Sequence, residues 1–273
     1  MTGKIAIELG NVQKTLFLPL WGRAVESMKK HPLLVDKTAL AIMQEVDYDF
    51  SSIANNISEM SQIAWITRSI CVDEVIRAFI EKYPQATIVN IGCGLDTTFD
   101  RVDNGTLIWY DLDLPDVISL RKKFIKETDR RRFISASFLE RDWLSTIEVN
   151  AQVLFVAAGV LYYFEEHEVR EFLIRLADLF PGSELLMDVS SPFGVKVANR
   201  MVITRIGLDE KSFLKWGLKS TLTLSDWDKR FRVLNTYSFF GKWGRFLSLR
   251  TRLIGFVSDL MKAQYMVHLE IIK

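Results

Sequence analysis

The segment Thr87–Thr97, TIVNIGCGLDT, constrains this chain more than any other, because a short β-branched run passes without interruption into a Gly-x-Gly turn at Gly92 and Gly94. A buried strand that ends on glycines lets the backbone turn sharply and come close to a ligand, and a helix starting just beyond offers free N–H groups. A purely structural tight turn uses the same two residues, so the turn by itself fixes no ligand.

The rest of the chain supplies a sheet for that strand. From Ala86 onward, β-branched runs at Thr87–Ile91, Leu107–Leu112, Arg132–Ser137, Gln152–Ala157 and Glu184–Val189 alternate with helical segments around Val117–Glu127 and Glu165–Phe180. Such alternation predicts an α/β architecture, a mostly parallel, doubly wound sheet with helices on both faces. Two late runs, Arg232–Phe240 and Gln264–Ile271, bring the strands to seven and suit an antiparallel edge. The basic, apolar stretch Lys242–Lys262 between them reads as a helix packed on the sheet, with a membrane or partner contact as the alternative. Residues 1–85 read as helical, including an amphipathic stretch Ile57–Lys82, and form an N-terminal cover over a core of residues 86–273. Ser191–Asp228 breaks the repeating unit and is expected to be a lid near residues 191–230.

Charge and composition narrow the partners. Thirty-five basic and 34 acidic residues leave a net charge of +1, which gives no field for gathering nucleic acid, so none is expected. The longest strongly apolar run, Val153–Phe164, is far short of the roughly 18 residues of a membrane span, so no integral membrane segment is expected. Met1–Gln13 lacks the pattern of a signal peptide, and the two cysteines, Cys71 and Cys93, read as reduced thiols; together these point to the cytoplasm. No Cys/His spacing suggests a metal, and nothing in the sequence gives the oligomeric state.

A second motif sharpens the first. The strand Leu107–Tyr110 runs into Asp111-Leu112-Asp113, about 20 residues after the glycines, where an acid can accept hydrogen bonds from both hydroxyls of a ribose. Asp113, at the strand end, is the first candidate, and Asp111, on the same face, is the reserve. A dinucleotide site wants a small residue where Thr97 stands, and Asp96 beside the turn would repel a pyrophosphate. An acid there suits the cationic amino-acid end of S-adenosylmethionine (SAM) better than a nicotinamide dinucleotide.

The runs VNIGCGLDTTFDRV and WYDLDLPDVISLRKKF resemble the leucine carboxyl methyltransferase-like family of class I SAM-dependent O-methyltransferases, in particular its bacterial polyketide-type, tetracenomycin methyltransferase-related branch. QKTLFLPLWGRAVES, the helix carrying Arg68, RDWL at Arg141–Leu144 and LFVAAGVLYYF at Leu154–Phe164 extend the likeness over most of the chain. It implies a class I methyltransferase (Rossmann-like) fold with SAM as cofactor, lined by Gly92 and Gly94 and held at its ribose by Asp113. It further implies Asp142 and Trp143 at the adenine, Arg68 on the methionine carboxylate, Arg23 as a second carboxylate partner, and Gly159 bordering the sulfonium. A guanidinium fork suits a carboxylate better than any other side chain. One departure is Ala158, where relatives that methylate protein carboxyl termini carry an acid.

The implied reaction is methylation of a carboxylate or hydroxyl of a small, polyketide-like acceptor. A carboxylate needs no general base, whereas a phenol benefits from one. His167, at a helix start near the expected rim, and Tyr163 are weak catalytic candidates; Tyr162 and Tyr163 are candidates for the acceptor wall, and His31 and His268 suit a loop and packing. Two alternatives stay open at this point: a SAM-binding sensor or partner subunit without catalysis, and a nicotinamide-dependent oxidoreductase.

Overall fold

The computed structural model describes residues 4–5, 13–204, 210–242 and 247–273. Seven strands, β1 (Thr87–Ile91), β2 (Ile108–Asp113), β3 (Arg131–Ser135), β4 (Val153–Ala157), β5 (Glu184–Val189), β6 (Phe231–Ser238) and β7 (Tyr265–Ile271), form one sheet in the order β3-β2-β1-β4-β5-β7-β6. The first five are parallel, while β7 runs antiparallel to both β5 and β6. The chain steps outward from β1 to β3, then crosses back to β4. The gap beyond the carboxyl ends of β1 and β4 is therefore the topological switch point where ligands sit in open α/β sheets.

Alternation along the strands builds two hydrophobic layers. Ile88, Trp109, Leu154, Val156, Leu186 and Met266 face helix α4 (Glu59–Lys82), which packs on them through Val72, Val75, Ile76 and Phe79. Val89, Ile91, Leu112, Phe155, Leu185 and Met187 face the other way, against Val169, Phe172, Leu173 and Leu176 of helix α7 (Glu166–Leu179). Helices α1 (Phe17–Ser27), α2 (Lys37–Glu45) and α3 (Ser51–Asn56) make a separate cluster in which Phe17, Leu20 and Ile42 pack with Leu95, Leu120 and Ile125. The N-terminal helices thus rest directly on the loop that follows β1.

Between β1 and β2 lies the short helix α5 (Thr98–Val102), and between β2 and β3 helix α6 (Pro115–Arg121), which ends earlier than its sequence pattern suggests. Beyond Arg121 the chain turns, and Phe124 and Ile125 pack against the N-terminal helices instead of continuing a helical face. After β5 come α8 (Pro192–Ala198), a π-turn at Asn199–Ile203 and α9 (Leu222–Trp227). Trp216 of this stretch is buried in the main core with its ring 5.8 Å from that of Trp227. The last helix, α10, spans Leu249–Leu260; the start of the expected Lys242–Lys262 helix, residues 243–246, lies outside the described residues, as does most of Met1–Gln13. Among the described residues no helix is long and apolar enough to cross a membrane.

Candidate active site

The loop after β1 is shaped by its glycines. Gly92 and Gly94 take φ of +62° and +47°. A Cβ on Gly92 would fall 2.3 Å from Cγ2 of Val160, and one on Gly94 3.3 Å from Leu16. Gly92 excludes a side chain by both backbone conformation and space, Gly94 chiefly by conformation. Asp113, at the end of β2, accepts from the Gly94 amide at 2.7 Å and from the Leu114 amide at 2.8 Å. Burial pushes its carboxyl up to about 6 even though those two amides and Arg121 act to lower it. Further donors, such as a pair of sugar hydroxyls, would relieve that desolvation.

Across the cavity, Arg68 of α4 donates from Nη1 to Asp188 at 2.9 Å and to the Tyr162 hydroxyl at 3.2 Å. Among the described residues its other nitrogens have no protein partner. Asp188, fully buried at the end of β5, also accepts from the Gly159 amide at 2.6 Å and from Gln264 at 3.0 Å. One carboxylate therefore fixes both the guanidinium and the loop after β4, where Gly159 has φ of +91° and its missing Cβ leaves room for Arg68. Sequence reading missed Asp188. Its signal was a lone acid in the otherwise apolar run Leu185–Val189.

A second set of arginines braces the turn. Arg23 donates to Asp36 at 2.9 Å and to the Leu95 carbonyl at 3.0 Å. Arg101 joins Asp36 at 2.8 Å to Asp73 at 2.7 Å. Burial works to raise the Asp96 carboxyl, yet Arg23, Arg101, the Thr98 amide and Arg121 outweigh it and hold the group at about 2. Arg121, wholly buried, reaches the Gly94 carbonyl at 2.9 Å and Asp111 at 2.7 Å.

These elements enclose a cavity of about 450 Å³, within the range of small-molecule sites. Arg23, Arg68, Gly92, Gly94, Asp113, Gly159 and Tyr163 line it, with Asn90, Asp96, Ser137, Phe138, Val160, Tyr162 and Lys215, among others. Four sequence candidates are not brought there. Asp111 is fully buried and occupied by Arg121, by Arg131 at 3.1 Å, by the Trp109 indole at 2.9 Å and by Asn90 at 3.0 Å, so it cannot meet a ribose. Asp142 is exposed and Trp143 is buried in the core with its indole bonded to the Phe138 carbonyl, because a 3-10 turn, Asp142–Thr146, carries both away from the loop after β3. Ser137 and Phe138, nearer that strand, take the position instead. His167 is exposed on the first turn of α7, which a capping box between Glu165 and Glu168 fixes, and it is not among the residues that line the cavity. Arg23 borders the cavity with its Nε and Nη2 committed to Asp36 and Leu95.

A parallel β3-β2-β1-β4-β5 core with β7 inserted antiparallel before β6, a glycine turn after β1 and an acid at the end of β2 define a class I SAM-dependent methyltransferase fold. The same fold occurs in a Thermobifida fusca protein assigned to the methyltransferases (TM-score 0.58, 12% identity, 92% of this chain and 94% of that one). It also occurs in a DUF574 family protein from Streptomyces avermitilis (TM-score 0.53, 12% identity, 92% and 96%). The leucine carboxyl methyltransferase family model matches residues 17–177. Among curated proteins the chain is 34% identical over 200 residues to the tetracenomycin polyketide synthesis O-methyltransferase TcmP of Streptomyces glaucescens, covering 73% of each. It is 26% identical over 191 residues to the SAM-dependent methyltransferase dpfgK of Gibberella zeae, covering 65% of this chain and 64% of that one. The chain belongs to the leucine carboxyl methyltransferase family and is a SAM-dependent O-methyltransferase.

Proposed function

We propose that this enzyme methylates a carboxylate on a small, polyketide-like molecule, with a hydroxyl acceptor taken only where its own substituents already acidify it. The observation that carries this reading is the absence of a general base on the acceptor side of the cavity among the described residues. Arg68 and Lys215 are cations, Asp96 is held at about 2 as an ionised but very weak base, and burial pushes the Tyr162, Tyr163 and Cys93 groups up so that they keep their protons. Asp113 is engaged at the opposite end with Gly94 and Leu114. An acceptor that arrives ionised needs no proton removed, and Lys215 at the rim gives it a counter-charge. The likeness to TcmP supports the polyketide class.

When bound, SAM supplies an electrophilic methyl group on a positive sulfur. Arg68 would hold its carboxylate through the nitrogens that Asp188 leaves free, Asp113 its ribose hydroxyls, and the backbone of Gly92, Gly94 and Gly159 its close approach. Ser137 and Phe138 would border the adenine in the place first assigned to Asp142 and Trp143. The chain's remaining work is positional: Tyr163, whose phenol burial keeps protonated, would donate to the acceptor, and Leu16, Val160 and Phe164 exclude water. Residues 1–85 reach the site through Leu16, Pro19, Trp65 and Arg68, and the 191–230 segment through Lys215, so both act as covers on the 86–273 core. A cytoplasmic setting and a small-molecule partner fit two buried free cysteines and a near-neutral chain that offers nucleic acid no field.

Calorimetric titration with SAM tests the cofactor site: Arg68→Ala and Asp113→Ala should each weaken binding at least about tenfold, and a folded wild type that fails to bind SAM overturns the reading. Labelled methyl transfer to an aromatic acid and its matched phenol tests the acceptor. The acid should react at a rate independent of pH between about 7 and 9. A non-acidic phenol that reacts faster at neutral pH would refute the base-free site.

A further inference from the structure

Helix α10 is packed the reverse of an ordinary surface helix, which turns its apolar stripe inward. It buries Thr251, whose hydroxyl meets Glu59 at 2.5 Å, and Gly255, where a Cβ would sit 2.8 Å from Phe240. The opposite face carries Leu249, Leu253, Phe256, Val257 and Leu260, exposed by 84%, 66%, 64%, 49% and 71%. Its small residues and Asp259, whose carboxylate accepts from the Phe239, Phe240 and Gly241 amides, hold it to the protein, and its large apolar residues do not.

Helix α8, joined to the end of α10, adds further exposed apolar residues. Ser191 at the start of α8 bonds to the carbonyls of Met261 and Lys262 at 3.1 and 3.0 Å, and from there Phe193, Val197 and Met201 are exposed by 48%, 38% and 43%. With roughly 150–200 Å² for a fully exposed large side chain, these eight residues present roughly 700–900 Å². The largest apolar patch of a typical monomer is about 300–600 Å², whereas a stable interface needs about 800 Å² from each partner.

We propose that this face is the contact between two copies of this chain, with α10 laid antiparallel against α10 of the second copy about a two-fold axis near Leu253. A two-fold contact is self-complementary, so one apolar row meets the same row reversed. Arg250 and Arg252, both exposed beside the stripe, supply the polar rim of such a contact. A lipid surface fits less well. An interfacial helix pairs its apolar stripe with a dense basic face, and α10 offers two arginines on a chain of net charge +1. That same near-neutrality puts no field between two copies.

Sedimentation equilibrium of the full chain tests the proposal. The wild type should have twice the chain mass at micromolar concentration. Leu253→Glu combined with Phe256→Glu should halve it while leaving the far-UV circular dichroism and SAM affinity unchanged, and should remove the concentration dependence of the melting temperature. Val149→Glu, at an exposed position before the amino end of β4, should stay dimeric. Leu253→Cys keeps the test open if the double variant fails to fold: the native cysteines are buried, so oxidation should cross-link two copies through this position alone. A monomeric wild type up to about 100 μM, a concentration at which only very weak dimers stay dissociated, or a dimer indifferent to Leu253→Glu/Phe256→Glu, overturns the proposal. A monomer that co-sediments with phosphatidylserine vesicles overturns it in favour of lipid.

Discussion

Replacing Gly92 with alanine asks whether the turn after β1 is held by conformation, by space or by both. Holding a non-glycine residue at φ +62° costs about 1–2 kcal/mol. The new methyl would also meet Val160 at 2.3, 3.0 and 3.2 Å, and overpacking of that kind costs about 1–3 kcal/mol. Valine has few rotamers with which to escape. The total is about 2–5 kcal/mol, which in a chain of this length lowers the melting temperature by roughly 4–20 °C. Thermal unfolding of Gly92→Ala, Val160→Ala and the double variant separates the two parts. Removing the valine methyls relieves the clash but not the backbone, so the double variant should be more stable than additivity predicts by about 1–3 kcal/mol. Strict additivity, or a Gly92→Ala loss below about 1 kcal/mol, would refute the packing account.

Because burial raises the Asp113 carboxyl to about 6 and its ionised form is the better acceptor for hydroxyls, SAM affinity should fall by up to about tenfold per unit as pH drops below about 6 and level off above it. Calorimetry across that range checks it, and Asp113→Asn should remove the pH dependence as well as weaken binding. Asp111→Asn leaves Arg121 and Arg131 buried against a neutral partner, so it should destabilise by about 3–5 kcal/mol in denaturant unfolding. Asp188→Asn keeps an acceptor for the Gly159 amide but removes the charge facing Arg68. It should weaken SAM binding about tenfold or more, and an unchanged affinity would show that Arg68 needs no anchor.

What was legible in the sequence was whatever local pattern encodes. The strand boundaries of β1 and β5 follow from short β-branched runs, and Gly92, Gly94 and Asp113 follow from a turn and a strand end at a fixed spacing. The choice between Asp111 and Asp113 was not local. It depends on Arg121 from α6 and Arg131 from β3, which converge on Asp111 only when the sheet forms. Asp142 and His167 stand near the right loops, but the 3-10 turn and the capping box settle which way those loops lead. The α10 stripe has a helical period that specifies amphipathicity without saying which face meets the protein. Thr251 and Gly255 decide that, because only small residues let the helix approach Phe240 and Glu59.

The buried arginines divide by how fully they are paired, which residue type alone does not reveal. Arg23, Arg101 and Arg121 are each bonded to a carboxylate and to at least one further oxygen, and withdrawing any of them to hold a ligand would break a buried ion pair. Among the four, Arg68 leaves most to a ligand: it lines the cavity and uses Nη1 alone, whereas Arg23, also at the cavity, commits Nε and Nη2. The others stabilise the turn, which has no side chain of its own at Gly92 and Gly94 to pack. Its backbone groups are fixed from three separate elements: the Gly94 amide by Asp113 of β2, the Gly94 carbonyl by Arg121 of α6, and the Leu95 carbonyl by Arg23 of α1. A glycine turn permits close approach of a cofactor but is entropically loose. Rigidity at this site therefore depends on side chains anchored in three other elements, and Arg23 contributes to it through the Nε and Nη2 it commits to Asp36 and Leu95.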